Sequence, residues 1–482
     1  MHQKIIYIVF LSFLVYHCSP EQKAEVIATI GNNSISIEEF QLTYQFNPYL
    51  IQIKDPNMAK KLLLRTLVAQ KIIAAEGYQE QIEKNPPIAR LIEQYHREAL
   101  IESLWEEKIA AQVHISENEV YAAYLQSKRI RFFQYILFPD YQNANTAYQQ
   151  LEEGMSFAKI AAANGISSDM IPSDSISFGS ELFEMEKAVF QLKLNEISPP
   201  LKIGQYYFII KLLKEKSDLF TSEADFSDNY KRLAKILRKR KQREYFNRFI
   251  KSRFDRPPYH LDKTVFKQMV QYIEGRVIFD RPSVKQNQDL SNERIYRDAI
   301  QNLGDYQNVP VIAFENGNKW TIEFLLNRLQ VGPYPIEFTN RGKFRMSMIA
   351  ATKMTLDDQI LVDLALANGL DKSSTVTHQT IIWKDHIVYQ SKLKDILKRA
   401  ERSDNLPGEK STVKYEKQID TYLANVAAKY QIQIYTDILD TLTLSKTDMV
   451  VMKAHFPKRT LAPVIQPFLN LPKFDHLLTS QY

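Results

Sequence analysis

The stretch from Arg129 to Lys216 constrains this 482-residue chain more than any other. It opens with Arg129-Ile-Arg-Phe-Phe-Gln-Tyr-Ile-Leu-Phe138, whose aromatic and β-branched residues predict a strand. A helix-like segment follows and ends in Leu151-Glu-Glu-Gly-Met-Ser-Phe157. Then come Phe183-Glu-Met-Glu-Lys-Ala-Val-Phe-Gln-Leu192, Asn195-Glu-Ile-Ser-Pro-Pro200 and a closing strand, Tyr206-Tyr-Phe-Ile-Ile-Lys-Leu212. The order predicts a small α/β domain set into a longer chain.

In order and spacing these segments resemble the parvulin-type peptidyl-prolyl isomerase domain. Rotation about an X-Pro amide faces a barrier of roughly 18–20 kcal/mol. A catalyst must seat the proline in an apolar pocket and favour the twisted amide over both planar forms. In parvulins two histidines on neighbouring strands and a cysteine or aspartate flank that pocket. By the resemblance, the histidine positions fall on Tyr135 and Phe208, and the acidic position on Asp169 in Ser167-Ser-Asp169. Phe178, Met185 and Phe190 are the apolar candidates to line the pocket. The usual glycine pair is absent from Ser173-Asp-Ser-Ile-Ser-Phe-Gly179. Each residue also has a plain structural explanation: strand packing for Tyr135 and Phe208, core for Phe178, Met185 and Phe190, a turn cap for Asp169. A tyrosine hydroxyl replaces part of a histidine's hydrogen bonding; a phenylalanine replaces none.

The N-terminal residues carry a second signal. Lys4 precedes an apolar run from Ile5 to Tyr16, interrupted only by Ser12. That run is shorter than the roughly 20 residues a spanning helix needs, so residues 1–18 read as a signal peptide. Cys18, the chain's one cysteine, follows directly and is the candidate lipidation site, although His17 departs from the usual lipobox. One thiol excludes internal disulfides, so stability rests on packing, for which 45% hydrophobic residues suffice. The expected location is the periplasm, on a membrane through Cys18, with the outer membrane favoured. Export and a net charge of only +6 argue against nucleic acid as partner.

Around the α/β segment the pattern is helical. Val26 to Ile35 reads as a hairpin turning at Gly31-Asn32-Asn33, and Ser36 with Glu39 forms a capping box. A longer helix carries Leu64, Leu67, Val68, Ile72 and Ala75 on one face, with Gly77 as its stop. This arrangement is similar to the N-terminal module of SurA/PrsA-type periplasmic foldases, in which a later helix returns to complete the core. The resemblance implies an α+β chain: a foldase core over 25–127, a parvulin-like domain over 128–216 and a returning helix over 222–255. That helix holds Arg238-Lys-Arg-Lys241, read as a solvated face or as a patch for anionic lipid or acidic client segments.

The C-terminal half repeats the first pattern. Val311 to Thr321 parallels Val26 to Ser36, and Leu356, Ile360, Leu364 and Ala367 parallel Leu64, Val68, Ile72 and Ala75. A second core-like module is expected over 262–445, followed by a tail over 446–482. The nine histidines show no metal-ligand spacing, and no phosphate-binding glycine loop is present, so no metal or cofactor is expected. Taken together, the sequence implies an exported foldase or chaperone for unfolded or newly translocated polypeptides, with a parvulin-like domain of weak or no activity. Two rival readings are an isomerase with a rebuilt site and a structural lipoprotein that docks one fixed partner.

Overall fold

The computed structural model describes residues 26–180, 182–204, 206–218, 221–279, 292–403, 411–444 and 459–479. The leader and Cys18 lie outside the described residues, as do most of the polar linker from Asp280 and the Asn405–Glu409 segment. Among the described residues no helix is long and apolar enough to cross a membrane. The fold is mostly helical with three small sheets among the described residues, which is the α+β class expected. Two compact units emerge: residues 1–105 with 258–482, and residues 106–257.

The first unit begins with the expected hairpin, β1 (Val26–Ile30) and β2 (Asn33–Ser36). It leads into α1 (Ile37–Gln45), capped by the Ser36 side chain, and α2 (Pro56–Gln79). Then come α3 (Pro86–Lys108) and, in the second unit, α4 (Glu117–Ser127), β3 (Arg129–Phe138), α5 (Tyr141–Glu152) and α6 (Phe157–Ala163). The second unit continues with β4 (Ser173–Ser177), α7 (Phe183–Gln191), β5 (Leu201–Ile203), β6 (Tyr206–Ser217) and α8 (Glu223–Lys251).

The chain re-enters the first unit through β7 (Tyr259–Leu261), α9 (Lys263–Tyr272) and α10 (Asn292–Gln301). A second hairpin, β8 (Pro310–Phe314) and β9 (Lys319–Thr321), leads into α11 (Ile322–Val331), capped by Thr321 as β2 is followed by Ser36-capped α1. The long helices α12 (Arg341–Ala367) and α13 (Ser374–Ser403) follow, then α14 (Ser411–Val426), β10 (Ile432–Ile434), α15 (Thr436–Thr441) and α16 (Pro472–Thr479).

Each hairpin gains a third antiparallel strand on its first strand, and the pairing crosses over. The strand after α14 joins the first hairpin, with Ala28 opposite Ile434. The strand after α8 joins the second, with Leu261 opposite Ile312. The first hairpin's core is therefore completed from the far end of the chain: Ile27, Phe40, Leu67 and Ile72 share one cluster with Val388, Leu423, Phe468 and Phe474. The returning element of this core is α14 with β10, whereas α8 packs Leu233 onto Val120 and Tyr124 of α4. The segment expected as a tail contributes buried Ile465, Leu471 and Leu478 to the same core. A separate cluster, from Phe266 to Leu356, surrounds the second hairpin.

A buried charge centre stitches the joined core. Lys71 Nζ lies 2.9 Å from Glu39 and 2.7 Å from Asp385, and Tyr78 donates to Asp385 at 2.6 Å. Burial alone would lower the Lys71 pKa, but the two carboxylates outweigh it and hold it above the ordinary value.

Two details of the sequence reading change. Gly77 does not stop α2, which runs to Gln79; a Cβ there would lie 2.6 Å from Val388 Cγ1, so the glycine allows α13 to approach. On α12 Leu356 and Ile360 are buried as expected, together with Met348, Thr355, Asp358, Val362 and Ala365, while Ala367 is exposed and Leu364 only partly buried.

Candidate functional site: the aromatic face of the parvulin-like sheet

In the second unit β3 and β6 pair antiparallel along their whole length at the centre of a four-stranded sheet ordered β4-β3-β6-β5. Strand alternation sends Ile136, Phe138 and Ile209 to one face, where α5 and α6 cover them with Ala147, Leu151, Phe157 and Ile160. The other face carries Phe133, Tyr135, Phe208, Ile210 and Leu212, beneath Met185 and Val189 of α7. Asn195–Pro200 runs beside β6: Ser198 N–H donates to Ile210 O at 2.8 Å, and Ile210 N–H donates to Ser198 Oγ at 3.0 Å.

Four of the six candidate site residues meet on that second face. Tyr135 lies opposite Ile210 in the register and Phe208 lies opposite Leu137, making the two aromatics diagonal neighbours. Their ring centroids are 5.6 Å apart at 51°. Met185 is buried in the same cluster, so it contributes core volume more than surface. Phe190 is half-buried in the same cluster, with the Arg131 guanidinium 5.2 Å from its ring centroid. Arg131 also donates to Val189 O and Leu192 O at 2.8 Å each, satisfying carbonyls at the end of α7, and pairs with Glu215 at 2.7 Å. Burial works to raise the Glu215 carboxyl, but the Arg131 hydrogen bond and charge prevail and lower it.

The other two candidates lie elsewhere. Phe178 faces α4 and α8, clustered with Val120, Tyr124 and Leu233. The resemblance had suggested it for the pocket; the apolar sides of α4 and α8 are what bury it. Asp169 is exposed in the short turn Ser168–Met170, three residues before Pro172, whose carbonyl accepts from Tyr135 N–H at 3.0 Å. The backbone thus links that loop to the aromatic pair.

The sequence reading passed over Glu186. It is 3% exposed and accepts from Gly179 N–H at 2.9 Å, from Ser180 N–H at 2.8 Å, and from both terminal nitrogens of Arg240. Arg240 lies over the rings of Phe178 and Phe183 at 4.6 and 4.5 Å. Gly179 is required here, with φ +96° and Ile236 Cδ1 2.9 Å from where a Cβ would sit. The available signal was a carboxylate three residues before Val189, on the buried stripe of α7, which demands a buried cation.

The site is therefore an aromatic, partly open sheet face without an imidazole: residues 129–217 contain no histidine. Among the described residues no group of His, Cys, Asp and Glu is placed to hold a metal ion.

Residues 118–247 match the family model of the PPIC-type PPIASE domain. That span runs from α4 into α8, so it includes the helix pair as well as the sheet. The foldase protein PrsA of Caldanaerobacter subterraneus is 26% identical over 246 residues, covering 42% of this chain and 79% of that protein. A parvulin-like PPIase of Rickettsia prowazekii is 22% identical over 212 residues, or 40% of this chain and 74% of the relative. A solved PrsA of Bacillus anthracis covers 39% of this chain at 18% identity, with a TM-score of 0.21, too low to bear on the arrangement of the elements. Over residues 118–247 the chain is thus similar to the PPIC-type PPIASE domain, and over about two fifths of its length to PrsA foldases and parvulin-like PPIases.

Proposed function

We propose that this protein is an exported foldase that holds unfolded or newly translocated polypeptides and whose parvulin-like domain has little or no isomerase activity. The observation that carries the reading is the Tyr135–Phe208 pair, 5.6 Å apart where the resemblance places two histidines. Preferential stabilisation of a twisted amide needs polar groups aimed at the reacting bond. A tyrosine and a phenylalanine supply one hydroxyl and no imidazole. Burial of a proline or aromatic side chain needs only apolar surface, at about 25 cal/mol per Å² removed from water. Tyr135, Leu137 and Phe208, all partly or fully open, offer such surface.

In this reading Cys18 carries the lipid that holds the protein at a membrane. Acylation supplies roughly 0.8 kcal/mol per buried methylene, enough over several chains for stable attachment. Cys18→Ala should move the protein from the detergent phase to the aqueous phase; identical partitioning would remove the anchor from the account. The folding reading is tested by measuring X-Pro exchange beside suppression of aggregation by an unfolded client. Suppression without exchange supports it. Rapid exchange lost in Asp169→Ala would make the protein an isomerase with a rebuilt site, and binding to one partner alone would make it a docking lipoprotein.

A further inference from the structure

The helix α8 holds ten basic residues against four acidic ones, an excess of six that equals the formal net charge of the whole chain, +6. Those charges divide by face. Phe226, Leu233, Ile236 and Leu237 pack against Val120, Ala123 and Tyr124 of α4. Cations beside that apolar stripe are satisfied within the unit: Arg240 on Glu186 at 2.7 Å, and Lys241 on Glu119 at 2.5 Å. Lys241 also donates to His114 O at 2.9 Å.

The opposite face is different. At about 100° per residue, Lys231, Arg232, Lys235, Arg238, Lys239 and Arg243 fall within an arc of roughly 140°, centred away from Leu233. All six are exposed, and none has a carboxylate within ion-pair distance among the described residues. Arg232 alone has a polar side-chain partner, Asn229 Oδ1 at 2.9 Å. At 1.5 Å per residue the stripe is about 18 Å long. One acid, Asp228, stands at its N-terminal end, and Gln242 is the only uncharged side chain between the cations.

We propose that this stripe is a membrane-contact surface which lays α8 against anionic lipid headgroups. A rigid row of like charges with no apolar anchor and no cavity among them selects for charge density and not for shape. That matches a diffuse anionic surface better than a single acidic side chain, because each Lys or Arg near such a surface adds attraction independently. Glu186 and Glu119 pair with Arg240 and Lys241 beside the apolar stripe, and no such carboxylate pairs with the six exposed cations among the described residues. The inference does not depend on whether the parvulin-like domain catalyses exchange.

The test uses residues 19–482, which lack both the leader and the thiol, with vesicles of phosphatidylcholine alone or with one third phosphatidylglycerol. Binding is expected only to the anionic vesicles and should fall steeply with added salt. The triple substitution Lys235→Gln, Arg238→Gln, Lys239→Gln should weaken it roughly a hundredfold. A charge-matched control, Lys159→Gln, Lys187→Gln, Lys193→Gln, also removes three exposed cations from this unit and should change binding by no more than about threefold. Lys235→Arg with Lys239→Arg should bind as the unaltered protein does. Equal binding to both vesicles, or equal loss in both triples, would overturn the proposal. So would tighter binding to poly-glutamate than to anionic vesicles, which would make an acidic polypeptide the partner.

Discussion

Arg240 places its two terminal nitrogens 2.8 and 2.7 Å from the two carboxylate oxygens of Glu186, joining the middle of α8 to α7 across the ring of Phe178. Planar two-point pairing of this kind is what a guanidinium provides and an ammonium does not. It ties α8 to α7 within the second unit.

Breaking that pair from one side should be costly. Arg240→Met leaves a buried carboxylate with only two backbone N–H donors, and loss of one partner of a buried pair typically costs about 3–5 kcal/mol. The double change Arg240→Met, Glu186→Leu should recover much of the loss. Urea unfolding of the four proteins gives the coupling directly. Additive effects would mean that the pair is not formed.

Gly77 offers a test by sign. In an ordinary exposed helix, Gly→Ala stabilises by up to about 1 kcal/mol. Here the new methyl would meet Val388 Cγ1 at 2.6 Å, within the closely packed α2–α13 contact. Overpacking of this kind costs roughly 1–3 kcal/mol. Gly77→Ala should therefore lower the unfolding midpoint, and Val388→Ala in the same protein should offset part of the loss. A raised midpoint in Gly77→Ala alone would show that the two helices do not approach so closely.

The face of α12 can be read the same way. Asp358 is 4% exposed and accepts from Tyr334 Oη at 2.6 Å. Asp358→Ala should cost about 1–3 kcal/mol through the orphaned hydroxyl. Leu364→Ala, at a partly buried position, should cost less than the roughly 2–5 kcal/mol of a fully buried leucine. Thermal unfolding that ranks them in the opposite order would restore the register suggested by the apolar spacing.

His386 predicts an acid limb in the stability curve. Burial lowers its pKa from 6.5 to about 4. The unfolded chain therefore takes up a proton first, and stability falls as pH drops from about 6.5 towards 4. The loss is at most about 3 kcal/mol, from 1.36 kcal/mol per pKa unit. Above pH 6.5 the residue contributes no slope. His386→Phe, compared with the unaltered protein by urea titration across that window, should remove this part of the slope and leave the neutral region unchanged.

Much of the fold was legible locally. Turn glycine at Gly31, the Ser36 cap and the aromatic and β-branched run Arg129–Phe138 each act over a few residues, and each formed the element it predicts. The long-range pairing was not legible. β7 and β10 are each three residues long and carry no signal that tells one hairpin from the other. Apolar periodicity placed Leu356 and Ile360 of α12 on the buried side but missed Thr355 and Asp358, which also face inward, Asp358 accepting from Tyr334; spacing alone counts them as polar. At the site, strand alternation joined Tyr135 to Phe208, but Phe178 went to α4 and α8, since an aromatic after a strand shows nothing of which side will cover it.

The central claim is that the aromatic face binds polypeptide without turning proline. Its most direct measurement is the rate of cis–trans exchange in an X-Pro peptide panel, read by exchange NMR with the intact protein present. Peptide line broadening in the same spectra reports binding. The account predicts broadening of proline- and aromatic-containing peptides that weakens in Leu137→Asp, a charge placed at the exposed position opposite Phe208, with exchange rates close to those in buffer. Exchange accelerated by orders of magnitude, and abolished by Tyr135→Phe or Asp169→Ala, would contradict it.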